Sequence, residues 1–180
     1  MYVKVCGLVN TDQIDKAIDL GYDAIGVVTY PKSKRYCPPD KARILAQYAK
    51  GKIDSFVVGK TFGNVQEAME PFDYVQIYES AMLPNLVLAS KHKPPANFDY
   101  TYFMYDSSAG SGIFNAFPQW LKQLKTKIII AGGLNHENVC QVIRDIRPFG
   151  VDISSGVEKD GVKDFGLMQL FIETVRNCEG

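Results

Sequence analysis

The chain has few of the residues that build metal centres or disulfide frameworks. It contains two histidines, and its four cysteines, Cys6, Cys37, Cys140 and Cys178, are widely spaced and form no CxxC pair. Zinc sites and disulfide scaffolds require such residues at close, regular spacing. The sequence therefore predicts no structural metal site, and it favours a cytoplasmic protein with reduced thiols.

An excess of charge and long apolar runs are also absent. Lys and Arg together number 20, as do Asp and Glu, so no global field attracts nucleic acid or an anionic membrane. No apolar stretch approaches the roughly 18 residues of a membrane-spanning helix. The first residues form a strand-like run, so we also expect no secretory signal. With 180 residues, of which 46% are hydrophobic, we expect one globular domain over residues 1–180.

Strand-like and helix-like segments alternate along the whole chain. Apolar runs predict eight strands, at 2–6, 23–28, 54–62, 73–78, 85–90, 101–106, 127–131 and 150–154. Helical patterns cover 11–20, 38–49, 64–72, 134–146 and 165–175, and residues 155–164 are predicted to form a loop. Because eight alternating units imply a closed parallel sheet, the predicted fold is a (β/α)8 barrel of the α/β class.

The middle of the chain is too short to carry all eight helices. Residues 79–84 are too few for three helical turns, and residues 92–99 contain two adjacent prolines. We therefore predict a barrel in which the fourth and fifth helices are shortened or missing.

The first predicted strand ends on Cys6, directly before Gly7. Strand alternation places Lys4 and Cys6 on one face and the neighbouring valines on the other. Parallel barrels keep their active sites at the carboxyl ends of their strands, which makes Cys6 a candidate catalytic residue. A small buried side chain is the alternative interpretation.

Asp106 ends the sixth predicted strand as Cys6 ends the first. In an eight-stranded barrel the two face each other across the mouth, where they offer one potential acid and one potential base. The alternative for Asp106 is a helix or turn cap.

Two further features suggest that the mouth binds anions. The loops after strands six, seven and eight are rich in small residues that let backbone amides approach a phosphate, namely Gly110, Gly112, Gly132, Gly133, Ser155 and Gly156. In the basic loop after strand two, Arg35 could fork onto a carboxylate. The alternative interpretation of the small-residue loops is that they are plain turns, and that of the basic loop is a solvated surface loop.

Several motifs resemble those of the phosphoribosylanthranilate isomerase family. They are VKVCG at 3–7, YPKSKRY at 30–36, Val75-Gln76, the span from Asp106 to Gly112, AGGLNHENV at 131–139 and VDISSGVE at 151–158. They keep their order from the first strand to the last loop. The chain departs from the family at Tyr78, where a histidine is usual, which puts the local shape of the pocket in question.

The resemblance implies an aldose–ketose isomerase of tryptophan biosynthesis that performs an Amadori rearrangement without a cofactor. It implies that Cys6 is the general base, that Asp106 is the general acid and that Arg35 binds the anthranilate carboxylate. Asp152 would contact the substrate, and the small-residue loops would hold its phosphate. The expected partner is a small phosphorylated molecule rather than nucleic acid or a membrane. We also predict a homodimer, because a second subunit could cover the side of the barrel where the fourth and fifth helices are shortened or missing.

Two other functions stay open on the sequence alone. One is an isomerase of another sugar phosphate, and the other is a barrel that has lost catalysis and serves as a binding or scaffold protein. An aryl carboxylate calls for Arg35, whereas an unsubstituted sugar does not.

Overall fold

A closed barrel of eight parallel strands forms the centre of the protein. The structure is a computed structural model that describes residues 1–108 and 117–178. The strands are β1 Tyr2–Cys6, β2 Ala24–Val28, β3 Asp54–Val58, β4 Tyr74–Ile77, β5 Leu86–Ser90, β6 Tyr102–Asp106, β7 Ile128–Ala131 and β8 Gly150–Ile153. They follow one another around the barrel in chain order, and β8 pairs with β1 to close it. The predicted (β/α)8 barrel is confirmed.

Fewer helices than strands accompany the barrel. The α-helices of the described chain are α1 Thr11–Asp19, α2 Pro39–Ala49, α3 Phe62–Val65, α4 Val139–Ile146 and α5 Phe165–Cys178. Short 3-10 helices cover Gln119–Gln123 and Ser155–Val157. Residues 78–85 and 91–101 contain no helix, so the predicted loss of the fourth and fifth helices is confirmed. None of the helices described is long and apolar enough to cross a membrane.

Side chains of β1 alternate between the barrel interior and the surrounding helices. Val3 and Val5 are fully buried in the outer core, between sheet and helices. Cys6 belongs to the inner cluster, and the Lys4 ammonium lies 5.1 Å from the centre of the Phe56 ring inside the barrel. The two faces predicted for this strand are confirmed.

Two helices start elsewhere than the sequence predicts. The helix predicted over 134–146 begins at Val139, because Asn135 Oδ1 accepts hydrogen bonds from the amides of Glu137 and Asn138. That side-chain turn replaces the first helical turn.

The other is the helix predicted over 64–72, which is reduced to the single turn of α3. Asn64 Oδ1 accepts from the amides of Lys60 and Thr61, which fixes an earlier start. After Val65 the chain continues in tight turns, in which the Ala68 amide donates to the Val65 carbonyl and the Phe72 amide to that of Met69.

The segment predicted as a loop after β8 contains a small hairpin. Strand β9, Glu158–Lys159, pairs antiparallel with β10, Val162–Lys163. The turn between them has positive φ at both central residues, 51° at Asp160 and 79° at Gly161. Because Asp-Gly suits such two-residue turns, this dipeptide was the sequence signal for the hairpin.

Cys140 and Cys178 form a disulfide, so the prediction of reduced thiols is wrong for this pair. Their Cα atoms lie 5.4 Å apart, within the normal range for a disulfide, although 38 residues separate them in sequence. Helices α4 and α5 pack against each other, which brings together two cysteines whose spacing gave no signal. The other two cysteines, Cys6 and Cys37, are free and buried.

Candidate functional site

A cavity of about 750 Å³ opens at the carboxyl ends of the barrel strands. Its lining includes most of the predicted site residues, namely Cys6, Arg35, Asp106, Gly132, Gly133, Asp152 and Ser155. Gly156 does not line it, because its α-carbon packs against the carbonyl oxygen of Leu134. Gly110 and Gly112 lie outside the described residues.

Cys6 lies in this cavity at the end of β1 and is only 6% exposed. Its sulfur fills the space above Gly26 of the neighbouring strand, where a Cβ atom would come within 2.7 Å of Sγ. Burial raises the pKa of the Cys6 thiol, and the nearby ammonium of Lys4 offsets this only in part. The thiol form is therefore favoured until a nearby positive charge stabilises the thiolate.

Lys4 and Asp152 form a buried ion pair beneath Cys6. Lys4 Nζ donates to Asp152 Oδ1 at 2.8 Å, and the lysine side chain is fully buried. Burial lowers the pKa of Lys4, but attraction to Asp152 and Cys6 outweighs it and raises the value overall. Burial also raises the pKa of Asp152, against the opposing effect of Lys4. No role for Lys4 followed from the sequence, although a charge at an inward-facing strand position is a recognisable signal.

Within residues 1–108 and 117–178, three hydrogen bonds hold Asp106 at the end of β6. Its Oδ2 accepts from the Tyr78 hydroxyl at 2.5 Å, and its Oδ1 accepts from Ser108 through the amide at 3.0 Å and the hydroxyl at 2.8 Å. Burial, then the charge of Asp106, raise the pKa of Tyr78, so this phenol remains a neutral donor. Asp106 therefore caps a turn, as one interpretation predicted, and it also lines the cavity, where its role as an acid stays a prediction.

The backbone after β7 passes directly against Asp106. Gly132 has φ of +92°, and a Cβ atom there would lie 2.6 Å from Asp106 Oδ1. Only glycine fits this combination of backbone conformation and close approach. The loop that was predicted to bind phosphate therefore contacts Asp106, the predicted general acid.

Arg35 forms a bidentate ion pair with a carboxylate, as its residue type suggested, but that carboxylate is Glu158 of β9. Arg35 Nε donates to Glu158 Oε1 and Nη2 donates to Oε2, each at 2.6 Å. Burial alone would raise the pKa of Glu158, but hydrogen bonds from Arg35 and from Lys163 outweigh it and lower the value. The arginine stem packs on Gly7, whose φ of +86° and bare α-carbon leave room for it.

Gln76 on β4 offers an unused acceptor to the cavity. Its side chain is 3% exposed, and Oε1 has no hydrogen-bond partner within the residues that the structure describes. A buried acceptor of this kind is costly unless a ligand supplies the donor. Gln76 belongs to one of the matching motifs, but no contact for it followed from the sequence.

The comparisons with known proteins show which family the chain belongs to. Residues 3–174 match the family described as PRAI, N-(5'phosphoribosyl)anthranilate (PRA) isomerase. The chain is 35% identical to an N-(5'-phosphoribosyl)anthranilate isomerase of Listeria welshimeri, over 99% of this chain and 100% of that one. It is 30% identical to the enzyme of the same name from Pyrococcus furiosus, over 98% and 99% of the two chains. The solved structure of TrpF from Jonesia denitrificans superposes with a TM-score of 0.83 at 28% identity, covering 99% of this chain and 98% of that one. This chain therefore belongs to the N-(5'-phosphoribosyl)anthranilate isomerase family.

Proposed function

We propose that this protein converts N-(5'-phosphoribosyl)anthranilate to 1-(2-carboxyphenylamino)-1-deoxyribulose 5-phosphate in tryptophan biosynthesis. The names of its relatives support the reaction. The observation that carries the assignment is the convergence of Cys6, Asp106, Asp152 and Arg35 on one cavity. A thiol, two carboxyls and a guanidinium suit a reaction that moves protons on a doubly anionic substrate.

The proposed reaction starts when Asp106 protonates the ring oxygen of the ribose. The bond between C1 and that oxygen breaks, and the anthranilate nitrogen shares the resulting positive charge as an iminium. The carboxylate left behind accepts the hydrogen bonds of Tyr78 and Ser108, which stabilise it without any rearrangement.

Cys6 then removes the proton from C2. The electron pair of that C–H bond forms a C1–C2 double bond and neutralises the iminium, giving an enol-amine. C1 gains a proton as this tautomerises to the aminoketone, so substrate and product are isomers and no external oxidant or reductant enters. Because burial raises the pKa of Cys6, its thiolate is a strong base once formed, and Lys4 lies close enough to stabilise it.

The remaining residues bind and orient the substrate in this proposal. Arg35 receives the anthranilate carboxylate, and Asp152 orients the substrate amine. The Gln76 acceptor suits a hydroxyl of the opened sugar. The phosphate binds to those late-loop residues that line the cavity, Gly132, Gly133 and Ser155.

The test is an assay of the purified protein with freshly generated N-(5'-phosphoribosyl)anthranilate in D2O. The proposal predicts that the chromatographic peak of the substrate is replaced by that of the aminoketone, carrying one deuterium at C1. Binding without conversion would contradict it and would favour a protein that has lost catalysis. Conversion without deuterium would contradict the proton path.

We further propose that the reaction takes place in the cytoplasm, since phosphorylated intermediates do not cross membranes unaided. Fractionation of cells with an antibody to this chain tests the location, and recovery outside the cytoplasmic fraction would contradict it.

A further inference from the structure

The β9–β10 hairpin contributes two buried charged residues that the reaction scheme leaves unused. Glu158, whose side chain is 9% exposed, occupies one edge of the Arg35 guanidinium with both carboxylate oxygens. Lys163, 1% exposed, donates from Nζ to Glu158 Oε1 at 2.5 Å. Burying a carboxylate between two cations carries a large desolvation cost. This cost suggests that the cluster has a function at the mouth of the barrel.

The same cluster is tied to the strand that carries Cys6. Lys163 Nζ also donates to the carbonyl oxygen of Ser154 at 2.9 Å. The Ser154 hydroxyl in turn donates to the carbonyl oxygen of Cys6 at 2.8 Å. Together with the packing of the Arg35 stem on Gly7, these contacts fix the guanidinium relative to the thiol.

The free edge of Arg35 fits a second carboxylate. A guanidinium carries five N–H donors, of which Glu158 uses one from Nε and one from Nη2. The opposite edge, formed by Nη1 and Nη2, takes no acceptor within the described parts of the chain and can bind another carboxylate through two parallel hydrogen bonds. Two cations and one carboxylate also leave a single positive charge, which one substrate carboxylate neutralises.

We propose that Glu158, anchored by Lys163, is a positioning residue that holds Arg35 for the carboxylate of the substrate. The hairpin is then a specificity element, which selects sugar phosphates whose amine bears an aryl carboxylate over those without one. This inference rests on the proposed function.

The effect should appear in binding rather than in chemistry. Arginine that is already immobilised loses less side-chain freedom when the substrate binds, and that loss is worth a factor of about five to ten per side chain. The proton transfers at the ribose do not involve Glu158. A change there should raise KM and leave kcat nearly unchanged.

The experiment compares two substrates in the wild-type protein and in Glu158→Gln. With N-(5'-phosphoribosyl)anthranilate, we expect KM to rise about five- to tenfold in the variant. With N-(5'-phosphoribosyl)aniline, which lacks the carboxylate, we expect KM to stay within twofold. Lys163→Met should change KM in the same direction, and Glu173→Gln, at an exposed position of α5, is the matched control. Circular dichroism verifies that each variant is folded, and Lys163→Met provides the test if Glu158→Gln is not.

Three results would overturn the proposal. If KM for the anthranilate substrate were unchanged, Glu158 would not position Arg35, and if KM were lower, Glu158 would compete with the substrate for it. An equal rise for both substrates would mean a general structural role. Wild-type protein inactive on both substrates would overturn the proposed function, and this inference with it, whereas the first two results leave the function standing.

Discussion

Cys6 and Asp106 are stabilised in different ways at the cavity. Asp106 accepts three hydrogen bonds, so a carboxylate there is well accommodated after it has given up a proton. Cys6 is buried beside a lysine that is itself neutralised by Asp152, so its thiol form is favoured before substrate arrives. The hydrogen bonds thus stabilise the carboxylate that Asp106 becomes after it donates its proton. The thiolate of Cys6, in contrast, depends on the positive charge of the iminium.

At the residue scale, we predict that Asp106→Asn lowers kcat at least about 100-fold, because an amide cannot deliver a proton to the ring oxygen. The measurement is steady-state turnover of freshly generated substrate. Asp19→Asn, at an exposed position of α1, serves as the control and should match the wild type. Turnover of Asp106→Asn within tenfold of the wild type would remove Asp106 from the acid role.

Cys6 also makes a prediction about pH. Its pKa is raised by burial, and the thiolate is the reactive form, so alkylation by iodoacetamide should be slow at pH 7. The rate should then rise about tenfold per pH unit up to pH 9, below the pKa of the thiol. The experiment uses the Cys37→Ser background, which leaves Cys6 as the free thiol of the described chain. A rate that levels off below pH 8 would contradict a raised pKa.

At the element scale, the loops at the top of the barrel were harder to predict than the strands. Strands are readable because each apolar run must be buried on both faces of a parallel sheet. The β9–β10 hairpin was missed although Asp160-Gly161 is a turn signal, because its two short strands have no apolar pattern. Glu158 and Lys163 could not be linked to Arg35, since the ion pair that joins the hairpin to Arg35 spans 123 positions and leaves no local trace.

The disulfide between α4 and α5 gives an element-scale prediction. Closing a loop of this length stabilises the folded state by about 2–4 kcal/mol, mainly by restricting the unfolded chain. Cys178→Ser should lower the urea midpoint accordingly, and dithiothreitol should lower that of the wild type but not of the variant.

The control and the direct test of this disulfide use the other cysteines. Cys37→Ser keeps the bridge and should remain sensitive to dithiothreitol. In denaturant, the oxidised wild type should titrate as two thiols, from Cys6 and Cys37. Four thiols in protein purified without reductant would contradict the bridge.

At the scale of the whole molecule, the barrel leaves one flank thinly covered. Residues 78–85 and 91–101 carry no helix over β4 and β5, and Met82 in the first of these segments is 98% exposed. We predict that a second copy of the chain covers this flank. Light scattering after size-exclusion chromatography should give twice the mass of one chain. A monomer that persists at all concentrations would contradict the prediction.

The overall architecture was predictable because alternation, strand count and loop composition all point to one fold. The cavity-lining positions of Cys6, Asp106 and Asp152 followed from their places at strand ends. What the sequence does not reveal is which partners these residues meet. The contact of Tyr78 with Asp106 and that of Lys4 with Asp152 join strands that are distant in sequence, so no local pattern records them.

The most direct test of the account is the turnover of Cys6→Ser on N-(5'-phosphoribosyl)anthranilate beside that of Cys37→Ser. A serine hydroxyl is a far weaker acid than a thiol, so it cannot supply the base at neutral pH. Removal of the general base should lower kcat at least about 100-fold. Cys37 is buried outside the cavity, and its variant should turn over like the wild type. Near-normal turnover of Cys6→Ser would contradict the proposed proton abstraction at C2.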